Sequence, residues 1–549
     1  MPVFEMPSST EEVKTLRENL LDLREKTSRL DVSESRRREL LDGVSDFAGK
    51  ALGKLQDGET AVYTGAGDNN NNNTDGKGLR SSPIQEDPVD LDHILDLYGT
   101  QIESRGLRAG HGGHMAYVPS NGVFPAALGD FLADTLNTYA GRTYESPGGV
   151  DMNCMLLEWM AELFGYPKGF HGNLTSGGSA ATVIAMATAR DSRKGLRARD
   201  YHRLVVYVSE LTHHCTRKAL HTVGLGEAVV REIPVDSRWR MDVAALETTV
   251  EHDVQNGLLP FVVVATVGTT DLGSADPLDG IAGNGLLPFV VVATVGTTDL
   301  GSADPLDAIA GVAERRGLWM HVDAAYGGFF ALCGDTRRLF RGVQRSDSII
   351  VDPHKGLNLP YGSGVVLVRE GWKLHQSNTA HHQGSYLYHP GIQSAGADTQ
   401  VSPCDLSFEL STHFRGPRMW FPLKLFGVGT FRAMLTEKLQ LAKYFYHRVQ
   451  EIPGIEVLQE PELSVVAFRY TGAPGGLEEN NRLNRLVLQE MVRDGGVYLS
   501  STTLKGTFYL RVCVLGFRTH LEHLDICLDI LQKALRRVKT SMSEAKESS

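Results

Sequence analysis

The spacing of apolar positions changes three times along this chain. Between residues 10 and 56 they recur every three to four places, first through Leu16, Leu20, Leu21 and Leu23, then through Leu40, Leu41, Val44, Phe47 and Leu52, which predicts two amphipathic helices. Around the run Asp68-Asn69-Asn70-Asn71-Asn72-Asn73 apolar residues almost vanish, the composition of a disordered linker. From about Ser120 to Arg418, short β-branched runs alternate with helical stretches; the runs begin at Leu204, Phe289, Trp319, Ser348 and Gly364. That alternation predicts an α/β domain with a mainly parallel sheet, whose sites gather at the carboxyl ends of strands. A long helical pattern after Met419, with the runs starting at Leu463 and Phe508, predicts a smaller α+β domain. The resulting division is a helical segment 1–63, a linker 64–88, an N-terminal segment 89–123, a large domain 124–418, a small domain 419–540 and a tail 541–549.

One feature breaks the pattern. Residues 256–283 and 284–311 are the same 28-residue block in tandem, differing only in Gly280 against Ala308. Two copies inside α/β alternation do not make a solenoid, so a recent duplication or an error in gene assembly accounts for them. Each block holds a strand-like Phe-Val-Val-Val-Ala-Thr and a Gly-Thr-Thr turn, but only the second runs directly into the strand before Asp323. Continuity of a strand–helix–strand unit therefore puts copy 2 in the core and leaves copy 1 extruded, a local instability or aggregation hazard.

Charge and cysteine usage narrow the partners. The net charge of −11 comes from scattered acids and no Lys/Arg cluster is long enough to track a nucleic acid, so none is expected as a partner. The six cysteines are widely spaced with no Cys-x-x-Cys, the usage of a reducing compartment. No apolar run reaches membrane-span length and the N-terminus is rich in Glu, Lys and Arg, so the expectation is a cytoplasmic protein with no membrane contact.

The chemistry concentrates at two strand ends. His321-Val322-Asp323-Ala324-Ala325-Tyr326-Gly327-Gly328 follows one apolar run and Asp352-Pro353-His354-Lys355-Gly356 follows another. A lysine that can form an imine and an acid that can keep a pyridine nitrogen protonated are the two requirements of a pyridoxal 5'-phosphate (PLP) enzyme. Thr175-Ser176-Gly177-Gly178-Ser179 precedes a helical run, and small residues there let backbone N–H groups approach a phosphate. His213 follows the strand ending near Val208, where an imidazole could stack on a cofactor ring. His213, His214 and Cys215 are adjacent, His111/His114 and His381/His382 lack further ligands at metal spacing, and no metal is expected.

With these motifs in hand, from about Gly110 to Leu531 the chain resembles the PLP-dependent group II amino-acid decarboxylases, the family of aromatic-L-amino-acid, histidine and glutamate decarboxylases. The matching motifs are T-S-G-G-S, the strand-end His213, V-G-T-T, H-V-D-A-A-Y, D-P-H-K and F-R-G-P-R-M-W. The resemblance implies PLP fold type I (aspartate-aminotransferase-like), a homodimer with its active site at the interface, and an N-terminal segment packed on the partner. It implies that Lys355 holds PLP, Asp323 its ring nitrogen, and that His213 stacks on the ring. Gly177, Gly178, Ser179 and His354 would surround the phosphate, Ala325 would lie under the ring, and Thr298, or its duplicate Thr270, would fill a cofactor-contacting position. Ser120 and Arg511 match positions near the substrate. Tyr386 matches a mobile-loop tyrosine that protonates the α-carbon after carbon dioxide leaves, where a phenylalanine goes with aldehyde formation. Gly356 stands where many members carry an aromatic, a departure that bears on substrate. The implied activity is decarboxylation of an L-amino acid, an aromatic one by first expectation; a different PLP lyase or transaminase, or a non-catalytic paralogue disrupted by the repeat, are the other readings.

Overall fold

The computed structural model describes residues 9–56, 61–64, 86–193, 196–209, 214–234, 319–379 and 401–547, and shorter pieces between 245 and 314 that include 255–264 and 290–294. The chain divides into two compact units, Met1–Leu107 and Arg108–Ser549. The division falls inside the segment 89–123 that the sequence groups together, because residues just after it join the C-terminal sheet.

The first unit contains helices α1 (Ser9–Thr27) and α2 (Glu34–Gln56), strand β1 (Tyr63–Thr64), helix α3 (Leu91–Tyr98) and strand β2 (Gly106–Leu107). The two strands pair antiparallel, and Phe47 on α2 meets Tyr98 edge-on at 5.9 Å. The amphipathic pattern is realised as helix, but Leu16, Leu20, Leu21 and Leu23 on α1 are all exposed. Most of the asparagine-rich linker lies outside the described residues.

In the second unit the chain runs through β3 (His114–Met115), α4 (Phe124–Leu136), α5 (Pro147–Phe164), β4 (His171–Thr175), α6 (Gly178–Asp191), β5 (Leu204–Ser209), α7 (His214–Leu220) and β6 (Val229–Ile233). Next come β7 (Leu259–Val264), β8 (Val290–Thr294), β9 (Trp319–Ala324), β10 (Ser348–Val351), α8 (Pro353–Gly356), β11 (Gly364–Val368) and α9 (Gly371–Thr379). The chain finishes with α10 (Gly416–Gln450), β12 (Ile455–Val457), β13 (Val465–Tyr470), α11 (Gly476–Asp494), β14 (Tyr498–Leu504), β15 (Thr507–Cys513) and α12 (Leu521–Glu547).

The large sheet has the order β4-β11-β10-β9-β8, with β8, β9 and β10 parallel and β11 reversed. Pleating sorts its side chains onto two faces. Met320, Val322 and Ala324 of β9, with Ile349 and Val351 of β10, join Leu156, Leu157 and Met160 of α5 in one core. Trp319 of β9 and Ile350 of β10 join Ala181, Ile184, Ala185 and Ala189 of α6 in another. The alanine-rich face of α6 is what lets that helix lie close to the sheet. Asp323 shares the α6 side of β9 with Trp319, two residues apart at each step, so the strand period itself aims it toward the start of α6.

A second sheet, β6-β5-β7, is wholly parallel. The two repeat copies are divided between the sheets: β7 from copy 1 pairs with β5, and β8 from copy 2 pairs with β9. The strand of copy 1 is therefore paired rather than extruded, contrary to the sequence expectation, while residues 265–283 lie outside the described residues. A bare edge on β5 would leave a row of backbone donors and acceptors unpaired, and the first copy reaches that edge before the second. The strands β7 and β8 approach within 8 Å between Cα atoms, but no ladder joins them among the described residues. Copy 2 also ends in the core, where Leu306 and Ala310 are buried and Asp307 pairs with Arg345 at 2.7 Å.

The small domain is a sheet of order β12-β13-β15-β14-β3. Its core draws Phe445 from α10, Val487 and Met491 from α11 and Leu524, Leu528 and Leu531 from α12, with Met115 of β3 buried among them.

Candidate active site

Lys355 and Asp323 end neighbouring parallel strands, and Asp323 stands in register with Ile350, five residues before the lysine. All four residues of β10 are buried, and Pro353 then opens the single turn of α8, a position where its missing N–H removes nothing from the helix. That turn carries Lys355 back over the strand end. Its Nζ lies 3.0 Å from Asp352 Oδ2, while Asp352 is only 2 % exposed. Asp323 Oδ1 accepts from the Ala325 amide at 3.0 Å, which bends the chain away from the strand and buries Ala325.

Beneath Asp323 lies a buried polar chain. The Trp319 indole donates to Ser348 Oγ at 2.9 Å, and that hydroxyl is 2.8 Å from His321 Nδ1. Burial pushes the His321 imidazole down to about 4 against the opposing pull of Asp323, so it is neutral at working pH.

The cup at the start of α6 is built by absent side chains. Gly177 has φ +149°, and a Cβ there would meet His354 Cε1 at 3.4 Å. A Cβ on Gly178 would lie 2.9 Å from Asp352 Oδ2, and one on Gly364 would lie 2.5 Å from the Gly177 backbone. Thr175 Oγ1 accepts from the Gly177 amide at 3.3 Å and donates to the Gly177 carbonyl at 3.1 Å. Ser179 is exposed in the first turn of α6. His354 Nδ1 donates to the Ser363 carbonyl at 2.5 Å, and burial holds its imidazole below the usual range although Asp352 opposes this. Lys355, Asp323, an open helix start and a glycine cradle on one side of one sheet are a donor set that fits PLP. They give a point of attachment, a carboxylate for the ring nitrogen and backbone donors for a phosphate.

Other sequence candidates frame this centre. Ser120 is buried, and its Oγ donates to the Leu359 carbonyl at 3.0 Å, on the loop that follows Lys355. Arg511, 1 % exposed on β15, donates to Tyr117 O at 2.6 Å and Ser500 Oγ at 2.9 Å, tying the segment around β3 to the small domain. His213, Tyr386 and Thr298, with the duplicate Thr270, lie outside the described residues.

Three residues escaped the sequence reading. Asp352 is one. Asn358, fully buried with φ +51°, accepts from the amides of Asn121 (3.1 Å) and Phe517 (3.3 Å) and donates to Leu515 O (3.1 Å), fastening the lysine loop to two distant segments. Arg418, from the F-R-G-P-R-M-W motif, clamps Asp130 at 2.6 and 2.8 Å and donates to Tyr361 O at 3.0 Å. An Asn in a left-handed position is a weak sequence signal; Asp130, which Arg418 clamps, is 288 residues away and leaves none.

The fold and this centre define an enzyme of PLP fold type I. The model of the pyridoxal-dependent decarboxylase conserved domain matches residues 77–283 and 281–471, two pieces that meet where the repeat copies meet. The aromatic-L-amino-acid decarboxylase of Bacillus atrophaeus is 27% identical over 451 residues, spanning 82% of this chain and 86% of that protein. Tyrosine decarboxylase 2 of Arabidopsis thaliana is 28% identical over 457 residues, 82% of this chain and 78% of its own. The crystal structure of Oryza sativa TDC with PLP and tryptamine superposes with a TM-score of 0.79 at 24% identity, covering 92% of this chain and 99% of that one. The chain belongs to the pyridoxal-dependent decarboxylase family. It is a carboxy-lyase that uses PLP.

Proposed function

We propose that the protein removes the α-carboxylate of an aromatic L-amino acid, releasing the amine and carbon dioxide, and does so as a cytoplasmic homodimer. The observation that carries the reading is Lys355 and Asp323 at the ends of adjacent parallel strands, facing the open start of α6. The aromatic substrate is supported by relatives that act on aromatic amino acids by name. The dimer is supported by the exposed leucines of α1, an apolar stripe suited to a second copy, and the compartment by cysteines that form no disulfide among the described residues.

When bound, PLP supplies a ring that accepts the electron pair left on the α-carbon as carbon dioxide departs. Lys355 would be the covalent attachment point of the cofactor. Asp323 would keep a proton on the ring nitrogen, its carboxylate oriented by the hydrogen bond that the Ala325 amide donates to Oδ1. Gly177, Gly178, Ser179 and His354 would seat the phosphate, and His213, Ala325 and Thr298 would supply contacts to the cofactor ring. Ser120 and Arg511 border the substrate space, and the Tyr386 hydroxyl returns a proton to the α-carbon. Among the described residues no helix is long and apolar enough to cross a membrane.

Borohydride reduction of the purified protein followed by peptide mapping tests the assignment: the phosphopyridoxyl group should be recovered on Lys355, and Lys355→Ala should abolish turnover. Recovery on another lysine, or turnover retained by the variant, would refute it.

A further inference from the structure

We propose that Asp352 is a brake on cofactor retention: its carboxylate, seated in the cup where α6 begins, repels the cofactor phosphate, so PLP is held loosely and occupancy follows its supply. The inference rests on the reading above, that Lys355 carries PLP with its phosphate at residues 177 to 179.

The geometry puts a negative group where another must arrive. Both carboxylate oxygens of Asp352 lie 2.9 to 3.3 Å from the point a Cβ on Gly178 would occupy, so the carboxylate borders the first residue of α6. Its Oδ2 faces Lys355 Nζ at 3.0 Å and His354 Nε2 at 3.6 Å, and its Oδ1 is buried without a hydrogen-bond partner. The ammonium of Lys355 is the cation that balances this carboxylate, and that charge is committed elsewhere once the lysine nitrogen bonds to the cofactor.

The neighbours do not replace it. His354 is pushed toward its neutral form by burial, and because its Nδ1 proton goes to the Ser363 carbonyl, the nitrogen turned to Asp352 presents a lone pair. Arg418 is held by Asp130 through both carboxylate oxygens. A phosphate seated in the cup while Lys355 carries the cofactor would therefore lie beside a carboxylate whose nearest cation is engaged elsewhere, in surroundings shielded from water, where like charges a few ångströms apart repel strongly. An asparagine would keep the shape and remove the charge.

The test is titration of PLP, and separately of pyridoxal, into cofactor-stripped full-length wild type and Asp352→Asn, following the absorbance of the lysine-bound cofactor. The variant should bind PLP at least about tenfold more tightly and lose it more slowly on dilution, while its affinity for pyridoxal, which has no phosphate, changes little. Unchanged or weaker PLP binding would overturn the proposal, and so would equal tightening for pyridoxal, which would assign the effect to Lys355. Asp352→Ser should move PLP affinity in the same direction and serves if the asparagine variant does not fold. Wild type that takes up neither compound would overturn the cofactor reading itself, and the brake with it.

Discussion

Removing one copy of the 28-residue block should strengthen the sheet. The copies differ only in Gly280 against Ala308, so deleting 256–283 or 284–311 leaves nearly the same chain. In the intact protein β7 has a ladder only on β5 and β8 only on β9, among the described residues. A single strand between β5 and β9 would be bonded along both edges. For the five residues of β8 this recovers about five backbone hydrogen bonds, at a net of about 0.5–1.5 kcal/mol each, hence roughly 2.5–7.5 kcal/mol. Shortening the connection adds only a few tenths of a kcal/mol, since closure entropy changes slowly with length. In a unit of this size that corresponds to a rise in Tm of roughly 3–8 °C. Scanning calorimetry with saturating PLP, repeated at several scan rates because large proteins unfold irreversibly, measures it. An unchanged or lowered Tm, or an insoluble product, would show that both strands are needed and that the division of copies between two sheets is no weakness.

Acid stability follows from His321, whose folded value is about 4 against 6.5 for the free group. Above pH 6.5 neither state holds the extra proton; from there down to about pH 4 only the unfolded chain takes it up, so stability falls by about 3 kcal/mol in total and no further below. His321→Gln should flatten that limb of the Tm-against-pH curve, and curves that stay parallel to wild type would contradict the assignment. Asn358→Ala leaves two buried amides and one carbonyl without their partner and puts alanine at φ +51°; a loss of about 2–4 kcal/mol with faster loss of PLP on dialysis is expected, and wild-type PLP retention would show that the loop after Lys355 is held by other means.

Asp323 and Lys355 stood out as candidates because each follows a buried strand at its carboxyl end: a polar group after Trp319-Met320-His321-Val322 or Ser348-Ile349-Ile350-Val351 has few places to be except a site. The α/β alternation and the smaller C-terminal domain were legible for the same reason, since period and run length are local. What could not be read was anything set by distant pairing. Ser120 meets Leu359, Asn358 meets Leu515 and Phe517, and β3 pairs with β14, all across hundreds of residues or between domains. The fate of copy 1 was hidden for another reason: two identical strands carry no information about which edge each takes, and the ladder on β5 decides it. Asp352 sat in plain view within Asp352-Pro353-His354-Lys355, but only the turn of α8 shows that its carboxylate folds back onto the lysine.

The proposed reaction is decarboxylation of an aromatic L-amino acid. Incubating the PLP-loaded protein separately with L-tyrosine, L-tryptophan, L-phenylalanine, L-histidine and L-glutamate, and quantifying carbon dioxide, amine, aldehyde and ammonia, tests it most directly. Carbon dioxide and amine are expected in equal amounts from one or more of the aromatic substrates, with neither aldehyde nor ammonia. Aldehyde with ammonia as the main products, carbon dioxide from glutamate alone, or no carbon dioxide from any substrate would contradict it.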